Sequence, residues 1–489
     1  MKVSKFQNHD FKKIGLENLA DIQFAGRVAK QILNTTQIEP NKILNSMRSV
    51  LENPELYVED ALYAQWAKYV IEKGLKDSLK QNTEVRQIPL EYQIYGRENI
   101  ETGAITQMDN AMRLPISVAG ALMPDAHHGY GLPIGGVLAT QPNYVIPFAV
   151  GVDIACRMCL SVYDVPQNRL NDVPRLKKIL EENTRFGLEG VFEKVLDDPI
   201  FERKEWKELT ILRKLKDRAY RQIGSSGTGN HFVEFGILEI TEFHQELKLP
   251  PGKYMALLSH SGSRGLGANI ANHYSKIAQN ECKFLPKDLI HLAWLDLNKT
   301  AGAEYWIAMN FAGEYASACH HHIHKRIAKA LGEQPVTRIE NHHNFAWKEH
   351  LADGTEVIVH RKGATPAGKG VLGVIPGSMT AKGYVVRGKG NASAIYSASH
   401  GAGRIMSRTY AINNITHAEL KKHLDKHGVV LIGGGLDEAP MAYKNIDVIM
   451  QNQSDLVDIL ATFTPKVVRM AEPENPTWIK KKGEDIWGE

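Results

Sequence analysis

The hydrophobic pattern of the first part of the chain is that of α-helices. Between residues 11 and 80, apolar side chains recur at helical spacing, first from Phe24 to Ile32 and again from Leu62 to Val70. Glycine and proline are scarce there, and Asn53-Pro54 marks a break between helices. We predict a separate helical region over residues 1–88, which carries no chemical motif and is structural or a platform for a partner or RNA.

From about residue 90 the pattern changes to short apolar runs between glycine-rich polar loops. The runs occupy residues 145–152, 254–258, 357–359 and 429–432. The main helical blocks are residues 170–222 and 284–332. This alternation predicts one large mixed α/β (α+β) domain over residues 89–472, whose loops carry the function, followed by a polar tail at residues 473–489.

The composition is that of a soluble globular protein, with 43% hydrophobic and 23% charged residues. No apolar run is long enough to span a bilayer, and the polar start MKVSKFQNHDFKKIG lacks an apolar signal core. The four cysteines suit a reducing compartment, so we expect a cytoplasmic protein. The net charge of +4 is compatible with a polyanionic partner but does not demonstrate one. The grouping of the 20 histidines is the first indication of function.

Three histidine-bearing loops and one Asp/Cys pair have the residue types of a metal site. Asp153-Ile-Ala-Cys156 follows an apolar run and a glycine, the usual setting of a strand end. The histidines are His231, His260 and either His342 or His343, each next to a predicted strand. Five ligands of mixed N, O and S type are enough for two ions if the thiolate bridges, and they suit Mn²⁺, Zn²⁺ or Co²⁺. Hydrogen-bonded histidines and a buried cysteine explain the same pattern, so composition and spacing leave both interpretations open.

A second group of loops has features of a nucleotide site. The stretches 360–365 and 376–379 are short basic or glycine-containing turns, and His400 precedes a glycine-rich turn. Arg404 and Arg408 follow at helical spacing, which predicts that they share a helix face with His400. Imidazole is a competent nucleophile toward phosphorus, and arginine neutralises phosphate oxygens. A helix that is capped by Ser399 and has a solvated basic face fits equally well.

The tract Cys319-His-His-His-Ile-His324 has the composition of a metal site but lies in a predicted helix, residues 316–331. Consecutive residues of a helix point in different directions and cannot all bind one ion. We therefore expect buried or RNA-contacting histidines here, and no metal.

In their order along the chain, these loops resemble the RtcB family of RNA-splicing ligases. The matching stretches are Met123-Pro-Asp-Ala-His-His-Gly129, Gly151-Val-Asp-Ile-Ala-Cys156, Gly229-Asn-His-Phe-Val-Glu234, His260-Ser-Gly-Ser-Arg-Gly265, His343-Asn344, His360-Arg-Lys-Gly-Ala-Thr365, Pro376-Gly-Ser-Met379, Ser399-His-Gly-Ala-Gly-Arg404 and Glu438-Ala-Pro-Met-Ala-Tyr443. They cover the chain from about residue 90 to 470. The resemblance implies a distinctive mixed α/β domain and a GTP-dependent ligase for RNA with a 3′-phosphate or 2′,3′-cyclic phosphate end and a 5′-hydroxyl end.

The resemblance also implies roles for individual residues. The expected metal ligands are Asp153, Cys156, His231, His260 and His343, with Cys156 as the bridge between two Mn²⁺ ions. His400 falls on the histidine that becomes linked to GMP. The residues expected around the GTP nucleotide are Asn230, His231, Phe232, Val233, Glu234, His343, Asn344, Pro376, Gly377, Ser378, Met379, Gly383, His400, Gly401, Ala402, Gly403 and Tyr443. The residues expected to hold RNA phosphates are Arg264, Arg404 and Arg408.

Three positions depart from the family's pattern. The family's Gly-Cys-Gly is Ala155-Cys156-Arg157 here, which bears on the surroundings of the metals or on the entry of RNA. A serine that commonly follows the Pro-Gly-Ser-Met turn is replaced by Gly383. The lysine that contacts guanine is absent from Val467-Val-Arg-Met-Ala-Glu472, so we expect weaker guanine selectivity unless a lysine at positions 480–482 substitutes.

A dinuclear metal-dependent phosphoesterase or nuclease is the rival interpretation. Such an enzyme explains the metal ligands equally well. It needs neither GTP nor His400, and this difference separates the two interpretations by experiment.

Overall fold

The computed structural model describes residues 6–75 and 84–473, apart from positions 15, 17 and 195. The lysines at positions 480–482, nearly all of the predicted tail and residues 76–83 of the predicted helical region lie outside the described residues.

The N-terminal region is helical and has a core of its own. Its described helices are α1 (Asn8–Lys13), α2 (Leu19–Thr35), α3 (Pro40–Glu52) and α4 (Ala64–Glu72). Trp66 is fully buried and donates from its indole nitrogen to the carbonyl of Met47 at 3.1 Å. Phe24 stacks on Tyr69 with ring centroids 3.8 Å apart. The apolar cluster that contains Trp66 has its buried members between residues 11 and 70, so this region encloses a core separate from the rest.

The remaining helices lie between and around the strands of two larger sheets. They are α5 (Thr102–Met112), α6 (Pro147–Val150), α7 (Val173–Asn183), α8 (Glu205–Glu208), α9 (Thr210–Gln222), α10 (Arg264–Glu281), α11 (Thr300–Leu331), α12 (Arg408–Asn414), α13 (His417–His427) and α14 (Ile446–Gln451). Helix α11 contains the Cys319–His324 tract, as predicted, and ends at Gly332, whose φ of 77° is the left-handed conformation common after a helix.

The larger sheet has eight strands in the order β13-β14-β17-β6-β7-β5-β9, with β16 beside β17. Its strands are β5 (Arg157–Pro166), β6 (Phe232–Ile240), β7 (Gly252–Ser261), β9 (Thr337–His342), β13 (Leu372–Ile375), β14 (Gly383–Gly388), β16 (Val430–Ile432) and β17 (Val457–Met470). All neighbours are antiparallel except β16 and β17, which are parallel.

The second sheet has five strands in the order β1-β2-β3-β11-β10. Its strands are β1 (Gln93–Ile94), β2 (Ser117–His127), β3 (Ile134–Thr140), β10 (Asn344–His350) and β11 (Glu356–Lys362). Two short pairs complete the described strands, β4 (Tyr144–Val145) with β8 (Leu295–Asp296) and β12 (Ala364–Pro366) with β15 (Ser397–Ser399). The mixed α/β class predicted from the sequence is confirmed.

The apolar run at residues 145–152 is not a strand, contrary to the sequence prediction. Only Val145 belongs to β4, and the short helix α6 follows it. Proline at the first helical position favours a helix start, and Gly151 ends the helix with a φ of 97°. Asp153 therefore follows a helix and a turn, whereas Cys156 directly precedes β5.

The large domain begins to pack before the predicted boundary at residue 89. The amide of Arg86 donates to the carbonyl of Arg113 at 2.8 Å, and Val85 packs against the apolar core around α10 and α11. Among the helices that the structure describes, none combines the length and the apolar character needed to cross a membrane.

Buried histidines outside the predicted metal ligands make the stability of the fold depend on pH. Burial lowers the pKa of His320 and His342 to about 3 and that of His360 to about 4. Since the pKa of an unfolded histidine is about 6.5, the unfolded chain takes up protons first as the pH falls, and stability is lost below that value. We expect the free energy of unfolding to fall by roughly 2 kcal/mol for each of these histidines between pH 7 and 5.

Urea unfolding of the metal-free protein at both pH values measures this effect. His360→Gln should make the pH dependence shallower, whereas His350→Gln, at a side chain that is 65% exposed, should leave it unchanged. A free energy of unfolding that is the same at both pH values would contradict the assignment of neutral buried rings.

Candidate metal and nucleotide site

Neighbouring strands of the larger sheet bring the predicted metal ligands together. Strand β7 pairs with both β5 and β6, so that Met158 and Phe232 each lie opposite His260. Cys156 is two residues before Met158 and therefore faces the same side of the sheet. His343 joins β9 to β10, and its amide donates to the carbonyl of Cys156 at 3.0 Å. We call the side with Cys156 and His260 the front face and the side packed against α11 the back face.

The ligand atoms lie within contact distance of one another. Sγ of Cys156 is 3.0 Å from Nε2 of His260 and 3.3 Å from Nε2 of His231. Nε2 of His231 is 2.9 Å from the Asp153 carboxylate, and Nε2 of His260 is 3.2 Å from Nε2 of His343. Cys156 thus belongs to two groups, and in each the ligand atoms lie within 4.8 Å of one another.

The protonation of these groups suits a cation. Burial lowers the pKa of His260 to about 3 and that of His343 well below its usual value, so both rings are neutral. Nδ1–H of His260 donates to the carbonyl of Asn230 at 3.1 Å, which leaves the lone pair on Nε2. Burial alone would raise the pKa of Asp153, but its hydrogen bond with His231 lowers it, so the carboxylate is charged. Two neutral imidazoles, a carboxylate and a thiol therefore enclose a space that can hold a metal ion.

Glycines permit the close approach of these ligands. A Cβ atom at Gly262 would lie 1.9 Å from the carboxylate of Asp153, and one at Gly227 would lie 2.0 Å from Nδ1 of His231. Any side chain at either position would displace a ligand, because real Cβ contacts are never this short.

Ala155 and Arg157, which replace the two glycines of the family's Gly-Cys-Gly, flank the predicted ligand Cys156. Ala155 has a left-handed φ of 59°, which costs a residue with a Cβ roughly 1–2 kcal/mol. Arg157 points to the back face, where it contacts the Glu340 carboxylate at 3.4 Å and Nδ1 of His342 at 3.0 Å. His342 is therefore part of the back face, and of the two adjacent histidines only His343 joins the ligand group.

Asp125, to which the sequence analysis assigned no role, holds the side chain of His400. Asp125 lies in β2 and is fully buried, and its Oδ2 accepts from Nδ1 of His400 at 2.7 Å and from the amides of His400 and Gly401 at 3.1 and 3.3 Å. Burial would raise the pKa of Asp125, but the contact with His400 lowers it. Because Nδ1 is occupied, Nε2 of His400 is the nitrogen available to a substrate. The His400 ring lies 4.9 Å from the ring of His343, so it borders the metal ligands.

Residues 400–407 form a loop, contrary to the predicted helix. Helix α12 begins only at Arg408 and is capped by Ser407, while Ser399 lies in β15. His400 and the two arginines therefore do not share a helix face. The glycines of this loop, with a φ of 72° at Gly403, let it turn against β2 and present His400 to Asp125.

One cavity of about 780 Å³ extends along the front face past His400. The predicted nucleotide residues that line it are Asn230, Phe232, Glu234, His343, Asn344, Pro376, Gly377, Ser378, Met379, Gly383, His400, Gly401, Ala402, Gly403 and Tyr443. Val233 faces the back and joins another apolar cluster, and His231 lies with the metal ligands. Lining residues to which the sequence analysis assigned no individual role include His127, His128, Lys362, Lys444 and Phe463.

The arginines predicted to hold RNA phosphates already have partners within the protein. Arg264 is buried outside the cavity wall and donates to the carbonyl of Gly187 at 2.6 Å. Arg404 and Arg408 line the cavity, but both contact the buried carboxylate of Glu438. Their charge is partly neutralised there, and their role toward RNA stays a prediction.

Glu234 is a buried acid that lines the cavity. The residue is 3% exposed, and burial raises the pKa of its carboxyl group well above the usual range, which favours the protonated form. The ring of Phe232 lies beside it on the same strand face, 5.6 Å from the ring of His260. An uncharged carboxyl group and an aromatic face are suited to a purine base.

Comparisons with known proteins agree with this site. The family model described as tRNA-splicing ligase RtcB matches residues 107–471. The chain is 33% identical over 408 residues to RNA-splicing ligase RtcB1 of one Escherichia coli strain and to RNA-splicing ligase RtcB of strain K12, covering 74% of this chain and 93% of each relative. It is 31% identical over 421 residues to tRNA-splicing ligase RtcB of Methanococcus maripaludis, covering 72% of this chain and 87% of that protein.

The position of Cys156 in both ligand groups predicts the effect of its removal. Cys156→Ala should sharply reduce the Mn²⁺ that elemental analysis finds after dialysis, because both groups lose their shared thiolate. Cys282→Ala is the matched control, since that buried thiol contacts the carbonyl of Trp294 far from the ligands in sequence and should leave bound Mn²⁺ unchanged. Full metal occupancy in Cys156→Ala would show that the thiolate is not a shared ligand.

Proposed function

This chain belongs to the RtcB family of RNA-splicing ligases and is an enzyme that ligates RNA ends, and we propose that it joins a 3′-phosphate or 2′,3′-cyclic phosphate end to a 5′-hydroxyl end, using GTP and two Mn²⁺ ions. Its reaction serves RNA repair or tRNA splicing, and its proposed location is the cytoplasm. The observation that carries the proposed chemistry is the contact between His400 and buried Asp125 beside the metal ligands.

Asp153, Cys156 and the histidines at 231, 260 and 343 would hold the two ions. The membership of Cys156 in two ligand groups supports a thiolate that bridges them, and the mixed N, O and S donors suit Mn²⁺. When bound, such ions neutralise the negative charge on the oxygens of a triphosphate.

His400 is positioned to attack the α-phosphorus of GTP through Nε2. Asp125 keeps the ring proton on Nδ1, so the lone pair is on the nitrogen that is available to the substrate. Attack forms a phosphorus–nitrogen bond and breaks the bond to the bridging oxygen, and pyrophosphate leaves with that electron pair. The ring becomes cationic while its Nδ1 proton stays hydrogen-bonded to the Asp125 carboxylate, which stabilises the positive charge.

The GMP is then transferred to RNA. An oxygen of the RNA 3′-phosphate attacks the phosphorus on His400, and the electron pair of the broken phosphorus–nitrogen bond returns to Nε2. The 5′-hydroxyl of the second RNA end attacks the activated 3′-phosphate, loses its proton to solvent and releases GMP. A 2′,3′-cyclic phosphate must first be opened by water to the 3′-phosphate.

Glu234, Phe232 and Tyr443 are the proposed surroundings of the base. Phe232 offers a ring face for stacking, and the buried carboxyl of Glu234 offers a hydrogen bond to a base edge. The Tyr443 hydroxyl donates to Glu438, which places an aromatic ring and a polar group at the same wall.

Replacement of His400 tests the chemistry. His400→Ala should retain its metals and still bind GTP, but it should form no covalent adduct when incubated with α-labelled GTP and Mn²⁺ and run on a denaturing gel. The wild-type adduct should be acid-labile and alkali-stable, as expected of a phosphoramidate.

His128→Ala is the matched control, because His128 is an exposed histidine that lines the same cavity and should not be needed for labelling. If His400→Ala still accumulates label, or still seals a 3′-phosphate to a 5′-hydroxyl, the proposed mechanism is wrong. Wild-type protein that cleaves RNA without GTP and never labels would favour the dinuclear hydrolase instead.

The missing C-terminal lysine predicts weaker selection of guanine. Residues 467–472, at the end of β17, contain no such lysine. Competition between labelled GTP and ATP should therefore show a preference for GTP of less than roughly a thousandfold, about 4 kcal/mol. A larger preference would contradict the prediction. A variant with alanine at positions 480–482 then shows whether those lysines provide the contact.

A further inference from the structure

A buried polar layer separates α11 from the back face of the larger sheet. His320 and His324, one helical turn apart, point into it from α11, and Ser161 and Ser259 point into it from β5 and β7. These side chains are essentially without solvent exposure, and none of them lines the cavity of the proposed ligase site. A buried polar group destabilises the fold unless it is hydrogen-bonded, so the side chains of this layer must be paired with one another.

The layer is a continuous chain of hydrogen bonds. Oγ of Ser161 is 2.7 Å from Nδ1 of His324, and Nε2 of His324 is 2.8 Å from Oγ of Ser259. The same Ser259 hydroxyl is 2.7 Å from Nδ1 of His320, whose Nε2 is 3.1 Å from the carbonyl oxygen of Ser261.

The carbonyl at one end sets the direction of every donor. A carbonyl only accepts, so Nε2 of His320 carries the proton and Nδ1 accepts from the Ser259 hydroxyl. The Ser259 oxygen then accepts from Nε2–H of His324, whose Nδ1 accepts from the Ser161 hydroxyl. One arrangement of protons satisfies all four contacts with both rings neutral. Burial favours this state, because it lowers the pKa of His320 to about 3 and that of His324 well below its usual value.

This arrangement argues against a separate metal site on the back face. Cys159, His320 and His324 have ligand atoms within 4.8 Å of one another, which is the spacing of a metal site. The two ring nitrogens that face each other, however, already meet the Ser259 hydroxyl at ordinary hydrogen-bond distances. Burial also raises the pKa of the Cys159 thiol well above its usual range, so this group is uncharged. The serine occupies the place that an ion would need.

Two members of this hydrogen-bonded layer are the sequence neighbours of a predicted metal ligand. His260 lies between Ser259 and Ser261 in β7 and faces the front, while His320 contacts both of these neighbours from the back. Partners that hold a metal ligand from outside the coordination shell commonly determine its orientation and its affinity for the ion.

We propose that His320 is a positioning residue, which fixes Ser259 and Ser261 so that His260 presents Nε2 to the metal ions. This inference rests on the proposed metal centre. It gives the histidine tract of α11 a role on the reverse side of the sheet, without contact to metal, GTP or RNA.

The test is a titration of the purified full-length chain with Mn²⁺ in the absence of GTP and RNA. The electron paramagnetic resonance signal of free Mn²⁺ measures how much of the ion is bound. His320→Leu removes both contacts with little change in volume and should raise the dissociation constant for Mn²⁺ by about ten- to a hundredfold. His320→Gln, whose amide reaches the position of Nε2 and can donate to the Ser261 carbonyl, should restore most of the affinity. Rescue by glutamine separates positioning from a mere loss of stability.

His322→Leu is the matched control, because His322 is on the same helix but contacts the Asp198 carboxylate at 2.8 Å, away from the layer. It should bind Mn²⁺ like the wild type. Ser259→Ala, which deletes only the bridging hydroxyl, provides a second measurement if His320→Leu does not fold, and it should also weaken binding.

Wild-type affinity in both folded variants, His320→Leu and Ser259→Ala, would overturn the inference and leave the proposed metal centre standing. If the wild-type protein binds no Mn²⁺, both the proposed metal centre and the role of His320 are wrong. Tightly bound zinc that persists in Cys156→Ala but is lost from Cys159→Ser would also overturn the inference, because it would show that the layer is a structural metal site.

Discussion

The register of β5 with β7 and β9 is the constraint on which the rest of the site depends. Met158 lies opposite His260 and Arg157 lies opposite His342, so alternate residues of β5 are directed to opposite faces. A shift by one residue would send Cys156 toward α11 and the Arg157 side chain into the ligand space. Specific polar contacts on both faces therefore support the same pairing.

The two faces of the larger sheet differ in how their buried polar side chains are arranged. On the back, Arg157 meets Glu340, and the serines and histidines of the layer satisfy one another. On the front, Nε2 of His231 and Nε2 of His260 crowd around one thiol, and the neutral ring of His260 directs the lone pair of its Nε2 into this space. The front face thus has an unmet demand for positive charge, which the proposed ions would satisfy.

The sequence predicted the parts of the site that single loops encode. Each histidine predicted to bind metal lies in or next to a strand, as the apolar runs indicated, and the mixed α/β class follows from the same runs. Pairings between distant residues have no local pattern, so the contact of Asp125 with His400 and the layer beneath His260 were not predicted. The prediction of a helix directly after His400 was wrong, because the glycines favour a turn there in spite of the helical spacing of the arginines. The stretch 145–152 was mistaken for a strand because a short apolar run has no periodicity that separates a strand from a helix.

The place of β17 in the larger sheet determines the order in which the chain can assemble during synthesis. The N-terminal helices enclose a core within residues 11–70 and can fold as soon as they leave the ribosome. Strand β17 is the last described strand to be made, yet it lies between β14 and β6 in the middle of the sheet. Until residues 457–470 are available, both of those strands have open edges that can pair with other chains. The predicted metal ligands are therefore translated before the sheet is complete, and a chaperone that shields those edges would act mainly during this interval.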